Sequence, residues 1–245
     1  MFEKEQQVKE VLFFMKLKTD LVIMGSGMAG ISAADAALAR GKKVIVFEKK
    51  PYQGGAVSNC PIAYVSIRKD RAFQNAAFHL LYEYSNYNAN PSVIRQYVNN
   101  SWRTKEYIER LGIKMIPTQQ LELEDIGDPK YADGFPPAVM AHGDFYLVPG
   151  RGKGHGGALI CLNAMKDIIK RGGQYMLNTP ITDILVDENG KVTGVKAVNN
   201  ETKEEIEVEC EAVIIASGGI MEDREMMKKY TGFTFTDYNC SGDGN

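Results

Sequence analysis

One glycine motif constrains the fold of this chain more than any other feature of its sequence. Gly25-Ser26-Gly27-Met28-Ala29-Gly30 follows the apolar run Leu21–Met24 and overlaps the start of an alanine-rich stretch over 28–40. An apolar run that ends in glycine is typical of a buried parallel strand, and the stretch after it favours a helix. A second apolar run, 43–47, ends at Glu48. This order predicts a right-handed β–α–β unit of Rossmann-like type.

Each glycine of this motif has its own physical task. Gly25 permits the tight turn, Gly27 allows the backbone to approach a pyrophosphate, and Gly30 allows the helix to pack on the strand. The N-terminus of the helix adds free N–H donors and the positive end of the helix dipole. Glu48 ends the second strand, where a carboxylate would accept ribose hydroxyl protons and repel a 2′-phosphate. The sequence therefore predicts a dinucleotide site that disfavours an NADP-type ligand.

The rest of the chain is divided by glycine, proline and asparagine signals. Asn90-Pro91 predicts a helix start, with Asn90 as N-cap and Pro91 at the first helical position. The turn at 187–190 predicts a hairpin. The first eighteen residues are interpreted as a short surface helix, and Met15 is a hypothetical alternative start. The predicted elements are a loop over 49–71, helices over 71–87, 91–111 and 157–171, strand-like pieces within 117–150, four short strands over 174–178, 181–187, 191–199 and 204–210, and a buried strand over 212–216.

Composition excludes several classes of protein. Hydrophobic residues make up 44% and charged residues 24%, which is typical of a folded chain. Lys and Arg number 29 against 31 Asp and Glu, so there is no basic footprint for nucleic acid. The longest apolar run, 11–15, is far too short to span a membrane, and it does not form a secretory signal. Four cysteines without a CxxC pair argue against disulfide, zinc and iron–sulfur sites and favour reduced thiols in the cytoplasm.

The histidines and the loop cysteine give little support for further chemistry. His79 falls on a predicted helix, whereas His142 and His155 lie in glycine-rich loops without metal-ligand spacing. The acidic stretch 121–133 has no EF-hand pattern. Cys60 lies in the loop after the second strand, but no second cysteine stands near it, so an inert thiol is favoured over a redox-active one. No metal site is predicted.

Several segments together resemble one family. The chain is similar to the FAD-binding half of flavoproteins of the fumarate reductase and succinate dehydrogenase type, a group that includes urocanate reductases and ketosteroid dehydrogenases. Order and spacing fit from about residue 18 to the end, and Ala216-Ser217-Gly218-Gly219 distinguishes the family from NAD-only dehydrogenases. The segments that carry the resemblance are 20–30, 46–49, Gly54-Gly55, 156–158, 178–184, 212–220 and 241–244.

The resemblance implies an α/β fold, a Rossmann-like FAD-binding fold with a small β-hairpin sheet over 174–210 and a helical insertion. The glycine motif would hold the pyrophosphate, Glu48 the adenosine ribose, and Ile181 the adenine through its backbone. Gly55 and Ala56 would lie along the pyrophosphate and ribityl side, and Asp243 near the flavin. The residues implied in cofactor binding are Gly25, Gly27, Met28, Ala29, Gly30, Glu48, Lys49, Gly55, Ala56, Ile181, Ala216, Ser217, Gly218 and Asp243.

The loop after Gly54-Gly55 departs from the family pattern. Residues 56–62 replace the usual asparagine or hydroxyl residue and a second Gly-Gly, so the family's contacts near the isoalloxazine are not assigned to residues of this loop. Family members that attach FAD covalently use a histidine in this loop. None is present here, so non-covalent FAD is expected.

The resemblance divides the chain into an N-terminal extension, 1–17, and an FAD-binding domain, 18–245. The family's catalytic arginine and dicarboxylate-binding residues follow the Gly-Asp-Gly segment at 242–244, in a capping domain and a returning C-terminal part. No catalytic residue is therefore assigned, and the FAD-binding domain is expected to be incomplete.

Three functions are compatible with these observations. The first is fumarate-reductase-like hydride transfer between FAD and a polarised carbon–carbon bond of a small-molecule substrate. The second is a non-catalytic FAD-binding or electron-transfer subunit that needs a second chain to complete the FAD and substrate site. The third is a small flavin-fold enzyme such as the thiazole-forming family, which is disfavoured because the residues after Glu48 follow the fumarate reductase pattern.

Overall fold

The structure is a computed structural model that describes residues 14–58, 63–67, 69–119, 144–147, 156–220 and 223–232. The chain divides into two units, one formed by Met1–Val57 with Ala164–Asn245 and the other by Ser58–Asn163. The strands are β1 (Phe14–Lys18), β2 (Leu21–Met24), β3 (Val44–Phe47), β4 (Ala63–Ser66), β5 (Ile116–Gln119), β6 (Asp144–Leu147), β7 (Gln174–Met176), β8 (Ile181–Val186), β9 (Val192–Val198), β10 (Glu205–Glu209) and β11 (Ala212–Ile215). The helices are α1 (Met28–Leu38), α2 (Gly55–Ser58), α3 (Arg71–Tyr84), α4 (Pro91–Asn100), α5 (Trp102–Arg110), α6 (Gly156–Lys170) and α7 (Arg224–Thr231).

A parallel sheet of order β11-β2-β3-β7 forms the centre of the first unit. Val22 lies opposite Ile45 on β3 and Val213 on β11. All four residues of β3 are buried, as expected for a central strand with both faces covered. Helix α1 connects β2 to β3 and buries Ile31 and two alanines against the sheet. The predicted β–α–β unit and Rossmann-like fold are confirmed.

A second sheet of the first unit has the order β1-β10-β9-β8. Its first strand corrects the prediction of a surface helix over the first eighteen residues, because Phe14–Lys18 pairs in parallel with β10. The alternation of FMKLK explains the strand: Met15 and Leu17 pack against the core, and the residues between them are exposed. Residues 1–13 lie outside the described part of the chain.

The four short strands predicted after α6 are all present, but they belong to two sheets. β7 pairs in parallel with β3, so it extends the central sheet and is not part of the hairpin sheet. β8 and β9 form the predicted hairpin, in which the Asp187 carboxylate accepts bonds from the N–H groups of Asn189 and Lys191. A prediction from local pattern could not separate β7 from its neighbours, because pairing partners are set by the whole fold.

The two sheets of the first unit share one hydrophobic core. Val22, Ile45 and Phe47 come from the parallel sheet and cluster with buried residues of β9 and β10. Arg171, just after α6, pairs with Asp35 of α1 and Asp167 of its own helix. This ion pair ties α1 to the end of α6, which fixes the helix that follows the glycine motif.

The second unit contains α3, α4, α5 and an antiparallel sheet of order β4-β6-β5. Asp70 caps α3. The predicted start of α4 is confirmed, since Asn90 caps this helix with Pro91 after it. The single helix expected over 91–111 is instead two helices that meet at Ser101, whose hydroxyl accepts a bond from the Ile67 N–H. The prediction of a loop over 49–71 is also wrong in part, because this segment contains α2 and β4.

No helix in the described part of the chain is long and apolar enough to cross a membrane. His79 lies on a helix as predicted, and the structure shows that it is an exposed residue of α3. Cys161 and Cys210 are buried free thiols, and burial raises the pKa of the Cys210 thiol. Cys60, Cys240 and the other two histidines lie outside the described residues.

Candidate cofactor site

A cavity of about 700 Å³ opens at the carboxyl ends of the central parallel strands. Ligands of open α/β sheets bind at this edge, because the loops after the strands meet there. The cavity lies wholly within residues of the first unit. Its lining residues are Met24, Gly25, Ser26, Gly27, Met28, Ala29, Phe47, Glu48, Lys49, Lys50, Gly54, Gly55, Thr179, Pro180, Ile181, Ile215, Ala216, Ser217, Gly218 and Gly219.

Two glycines of the motif are required by the fold. Gly25 has φ +103°, and a Cβ built on it would lie 2.4 Å from the Ala216 carbonyl oxygen. A Cβ built on Gly30 would lie 1.9 Å from the Gly25 carbonyl oxygen. Real Cβ atoms do not approach oxygen so closely, so any side chain at either position would displace the backbone.

Gly27 differs from both of these glycines. Its backbone, with φ −67° and ψ −175°, suits any residue. Among the described residues, a Cβ built on it would meet only the Gly54 carbonyl oxygen, 4.0 Å away. Since Gly27 lines the cavity, the space that its missing side chain leaves is open to a ligand.

Helix α1 presents its N-terminus to the same cavity. Gly27 is the N-cap residue, so no side chain caps the helix, and the first turn contains no acidic residue. Met28 and Ala29, the first two helical residues, line the cavity. Backbone N–H groups and the positive end of the helix dipole can therefore bind an anion such as phosphate.

The Glu48 carboxylate is the buried charged group of the cavity, with only 5% of the residue exposed. Its Oε2 accepts bonds from the Ser26 N–H (3.0 Å) and the Ser26 hydroxyl (2.8 Å). Its Oε1 accepts a bond from the Lys50 N–H at 3.0 Å. These donors satisfy part of the carboxylate and hold it at the end of β3.

The backbone around Glu48 is held by a neighbouring segment of the chain. The Thr179 N–H donates to the Glu48 carbonyl, and the Asn178 N–H donates to the Lys50 carbonyl, each at 2.8 Å. Asn200 follows β9, and its amide donates to the Lys49 carbonyl at 3.2 Å. The hairpin sheet thus supports the wall of the cavity that contains Glu48.

The structure brings most of the predicted cofactor-binding residues together. Gly30 is buried behind the motif and does not line the cavity. The side chain of Ala56, in α2, and all of Asp243 lie outside the described set. The eleven remaining predicted residues all line the cavity: Gly25, Gly27, Met28, Ala29, Glu48, Lys49, Gly55, Ile181, Ala216, Ser217 and Gly218.

Sequence reasoning missed several lining residues, of which Ser26 and Thr179 are the most informative. The signal that could have identified Ser26 as a partner of Glu48 is its hydroxyl group, the only one within the glycine motif. The strand at 212–216 was predicted as buried, but it is an edge strand of the described sheet. Ile215 is 66% exposed and lines the cavity.

The described residues contain no group of three or more His, Cys, Asp or Glu side chains that could hold a metal ion. The cavity instead combines an open helix N-terminus, small residues and one buried carboxylate. This set suits a ligand that has both an anionic group and hydroxyl groups.

Comparisons with known proteins agree with this chemistry. The family described as FAD binding domain matches residues 20–245. The chain is 30% identical over 239 residues to the NADH:fumarate oxidoreductase of Klebsiella pneumoniae, a match that covers 92% of this chain and 24% of that protein. It is 26% identical to the vinyl phenol reductase of Lactiplantibacillus plantarum, covering 86% of this chain and 40% of that protein. It is 28% identical to a fumarate reductase (cytochrome) of Shewanella frigidimarina, covering 86% and 35%. The chain thus spans well under half of these relatives.

Solved structures show the same fold at low sequence identity. The 3-ketosteroid-Δ4-(5α)-dehydrogenase of Rhodococcus jostii superposes with a TM-score of 0.70 at 17% identity, over 92% of this chain and 50% of that one. An open flavocytochrome c3 fumarate reductase superposes with a TM-score of 0.68 at 18% identity, over 88% of this chain and 36% of that one.

Proposed function

The chain belongs to the FAD binding domain family, and on that premise we propose that the cavity at the carboxyl ends of β2, β3 and β11 binds FAD for an oxidoreductase reaction. Gly27 carries this proposal. Neither its backbone conformation nor its neighbours require glycine, and the space beside it faces the open N-terminus of α1. A diphosphate that lies against the backbone would require both features.

Glu48 gives the proposed site its orientation. Its buried carboxylate would accept a hydroxyl proton from the adenosine ribose, and the backbone of Ile181 would contact the adenine. The loop over 216–218 would lie against the cofactor from β11. We propose these roles together with those of Met28, Ala29, Lys49, Gly55, Ala56 and Asp243, as the family resemblance implies.

We propose that FAD is held without a covalent bond. Residues 49–62 follow Glu48 and contain no histidine. The lining residues that the structure describes offer backbone N–H groups, a carboxylate and small side chains. These groups bind a cofactor through hydrogen bonds and close backbone approach.

The substrate that we propose is a small organic molecule with a polarised carbon–carbon double bond. When bound, FAD supplies the ring system that exchanges a hydride with such a bond. The relatives are named for fumarate and a vinyl phenol, both of which contain a conjugated double bond. The residues of this chain would bind and orient the cofactor, and we assign no catalytic acid to any of them.

A second candidate function follows from the share of the relatives that this chain spans, 24% to 40%. An FAD-binding or electron-transfer unit could need a further chain to complete the flavin and substrate site. We propose residues 18–245 as the FAD-binding domain and 1–17 as an extension that precedes it.

The cysteines, which include two buried free thiols, support a reducing cytoplasmic location.

Loading with FAD tests the proposed cofactor. The purified chain should bind added FAD with a flavin absorption spectrum, and acid denaturation should release the flavin. Glu48→Ala should weaken FAD binding by roughly 10- to 100-fold, because it removes a charge-assisted bond worth about 1.5–3 kcal/mol. Titration monitored by flavin fluorescence measures both proteins. Unchanged affinity in the variant would show that the ribose lies elsewhere.

Turnover separates the two candidate functions. The FAD-loaded chain is mixed with reduced viologen and with fumarate, urocanate or an enone, and oxidation of the viologen is followed. Steady consumption of any of these acceptors would reject the partner-dependent function. A flavin that viologen reduces, but that passes no electrons to any acceptor, would favour it.

A further inference from the structure

We propose that Ser26 is a positioning residue that aims the Glu48 carboxylate at the adenosine ribose and so sets the preference of the site for a ribose hydroxyl. The inference rests on the proposed function, since it concerns the same cavity. Ser26 is the second residue of the glycine motif and is 0% exposed.

Ser26 contacts two walls of the cavity at once. Its N–H and its hydroxyl both donate to Oε2 of Glu48. Its hydroxyl oxygen also accepts a bond from the Gly54 N–H at 2.9 Å. One buried side chain therefore connects the glycine motif, the acid at the end of β3 and the start of the Gly54-Gly55 turn.

The number of donors decides which oxygen of Glu48 is available. A carboxylate has about four lone-pair sites, two on each oxygen. Ser26 occupies both sites on Oε2, and the Lys50 N–H occupies one site on Oε1. The donors among the described residues thus leave one acceptor site, on Oε1. Glu48 would therefore bind one ribose hydroxyl strongly, and the direction of that bond depends on Ser26.

Removal of the Ser26 hydroxyl would release this arrangement. Oε2 would lose the hydrogen bond from the Ser26 hydroxyl, the shorter of its two, and would regain a free lone pair. The carboxylate could then rotate about its last side-chain torsion. The Gly54 N–H would also lose its acceptor. The charge of Glu48 would remain in the cavity, but its preferred direction toward a ribose hydroxyl would be lost.

Binding of ADP and its deoxy analogues tests this inference without turnover. ADP, 2′-deoxy-ADP and 3′-deoxy-ADP are titrated into the full chain by calorimetry or by competition with FAD. The wild type should bind ADP about tenfold more tightly than one of the two deoxy analogues, the equivalent of one charge-assisted bond. Ser26→Ala should reduce this preference to about threefold or less.

Three further variants separate positioning from general damage to the fold. Ser26→Cys replaces the hydroxyl by a slightly larger and only weakly hydrogen-bonding thiol, which leaves no empty space, so it should lose the preference even if the alanine variant folds poorly. Thr19→Val is the matched control, because Thr19 is 5% exposed and its hydroxyl has no hydrogen-bond partner among the described residues. This control should keep the wild-type preference. In a Glu48→Ala background, Ser26→Ala should have no further effect on ADP affinity.

The outcomes distinguish this inference from the proposed function. A wild type that binds neither FAD nor ADP would overturn both. A wild type that prefers ADP, together with a folded Ser26 variant that keeps the full preference, would overturn only the role of Ser26. Positioning through Glu48 would also be rejected if Ser26→Ala weakened the binding of ADP and of both deoxy analogues equally. The same holds if the losses of ADP affinity from Ser26→Ala and Glu48→Ala were additive in the double variant.

Discussion

The fold does not require glycine at position 27, whereas the proposed ligand does. Gly25 and Gly30 are each forced to be glycine by a carbonyl oxygen that a Cβ would strike. Gly27 has ordinary backbone angles and open space beside it. A single methyl group can therefore test the ligand contact separately from the fold.

Gly27→Ala should keep the stability of the chain and lose affinity for FAD. The methyl group has room in the protein, but it would occupy the space where a diphosphate lies against the backbone, so we expect a loss of about tenfold or more. Unfolding in urea and titration with FAD measure the two effects.

Gly30→Ala is the control for Gly27→Ala. Its Cβ would lie 1.9 Å from a backbone oxygen, so it should lower the free energy of unfolding by about 1–3 kcal/mol or more. If Gly27→Ala destabilised the chain as much as Gly30→Ala, the space beside Gly27 would not be open as described.

The residues of the site were predictable to different extents. The glycine motif and Glu48 are recognisable because their spacing follows one local β–α–β unit. The partnership of Ser26 with Gly54 was not recognisable, because it depends on how the chain returns after β3. Thr179 was missed for the same reason, since its bond to the Glu48 carbonyl joins segments far apart in sequence.

Strand β1 is the element that local pattern failed to identify. Its alternating residues extend over only five positions, and its partner β10 lies near the other end of the chain. The exposed face of the sheet explains the pairing: Lys16 lies opposite Glu207, Glu207 opposite Lys196, and Lys196 opposite Asp183. Opposite charges alternate across all four strands, which favours this register.

Reversal of one charge in this row should weaken the sheet. Lys16→Glu would place two carboxylates opposite each other on β1 and β10, and we expect a loss of about 0.2–1 kcal/mol in the free energy of unfolding. High salt should reduce the loss. Lys114→Glu makes the same charge change at an exposed position and should have a smaller effect. Equal urea midpoints for both variants would contradict the charge row.

Helices were easier to predict than strands because their signals are local. The start of α4 was predicted from Asn90 and Pro91 alone, and Asn90 caps the helix as expected. The break at Ser101 was not readable, because the hydroxyl accepts its bond from Ile67, in another segment. The membership of β7 in the parallel sheet likewise depends on its partner β3.

At the scale of the molecule, the described residues of each unit contain a hydrophobic cluster. The cluster of the second unit contains Ile67, Ala77, Ile94 and Val98. The described residues that line the cavity all belong to the first unit.

Ile94→Ala should therefore affect stability and ligand binding differently. We expect a loss of about 2–5 kcal/mol from truncation of this buried side chain. ADP affinity below the unfolding transition should change by less than about twofold, because none of the described residues that line the cavity belongs to the second unit. Ile45→Ala, in the hydrophobic cluster of the first unit, should lower both the free energy of unfolding and the affinity for ADP. A large loss of ADP affinity in the Ile94 variant would show that the second unit contributes to the site.

The first unit is assembled from both ends of the chain, and this has a consequence for biosynthesis. The Ala216 carbonyl lies against the turn at Gly25, and residues 58–163 are synthesised between these two positions. A ribosome therefore completes one wall of the cavity long before the other exists. The glycine motif should therefore be synthesised well before it can bind a cofactor, and cofactor capture should follow the synthesis of residues 212–219.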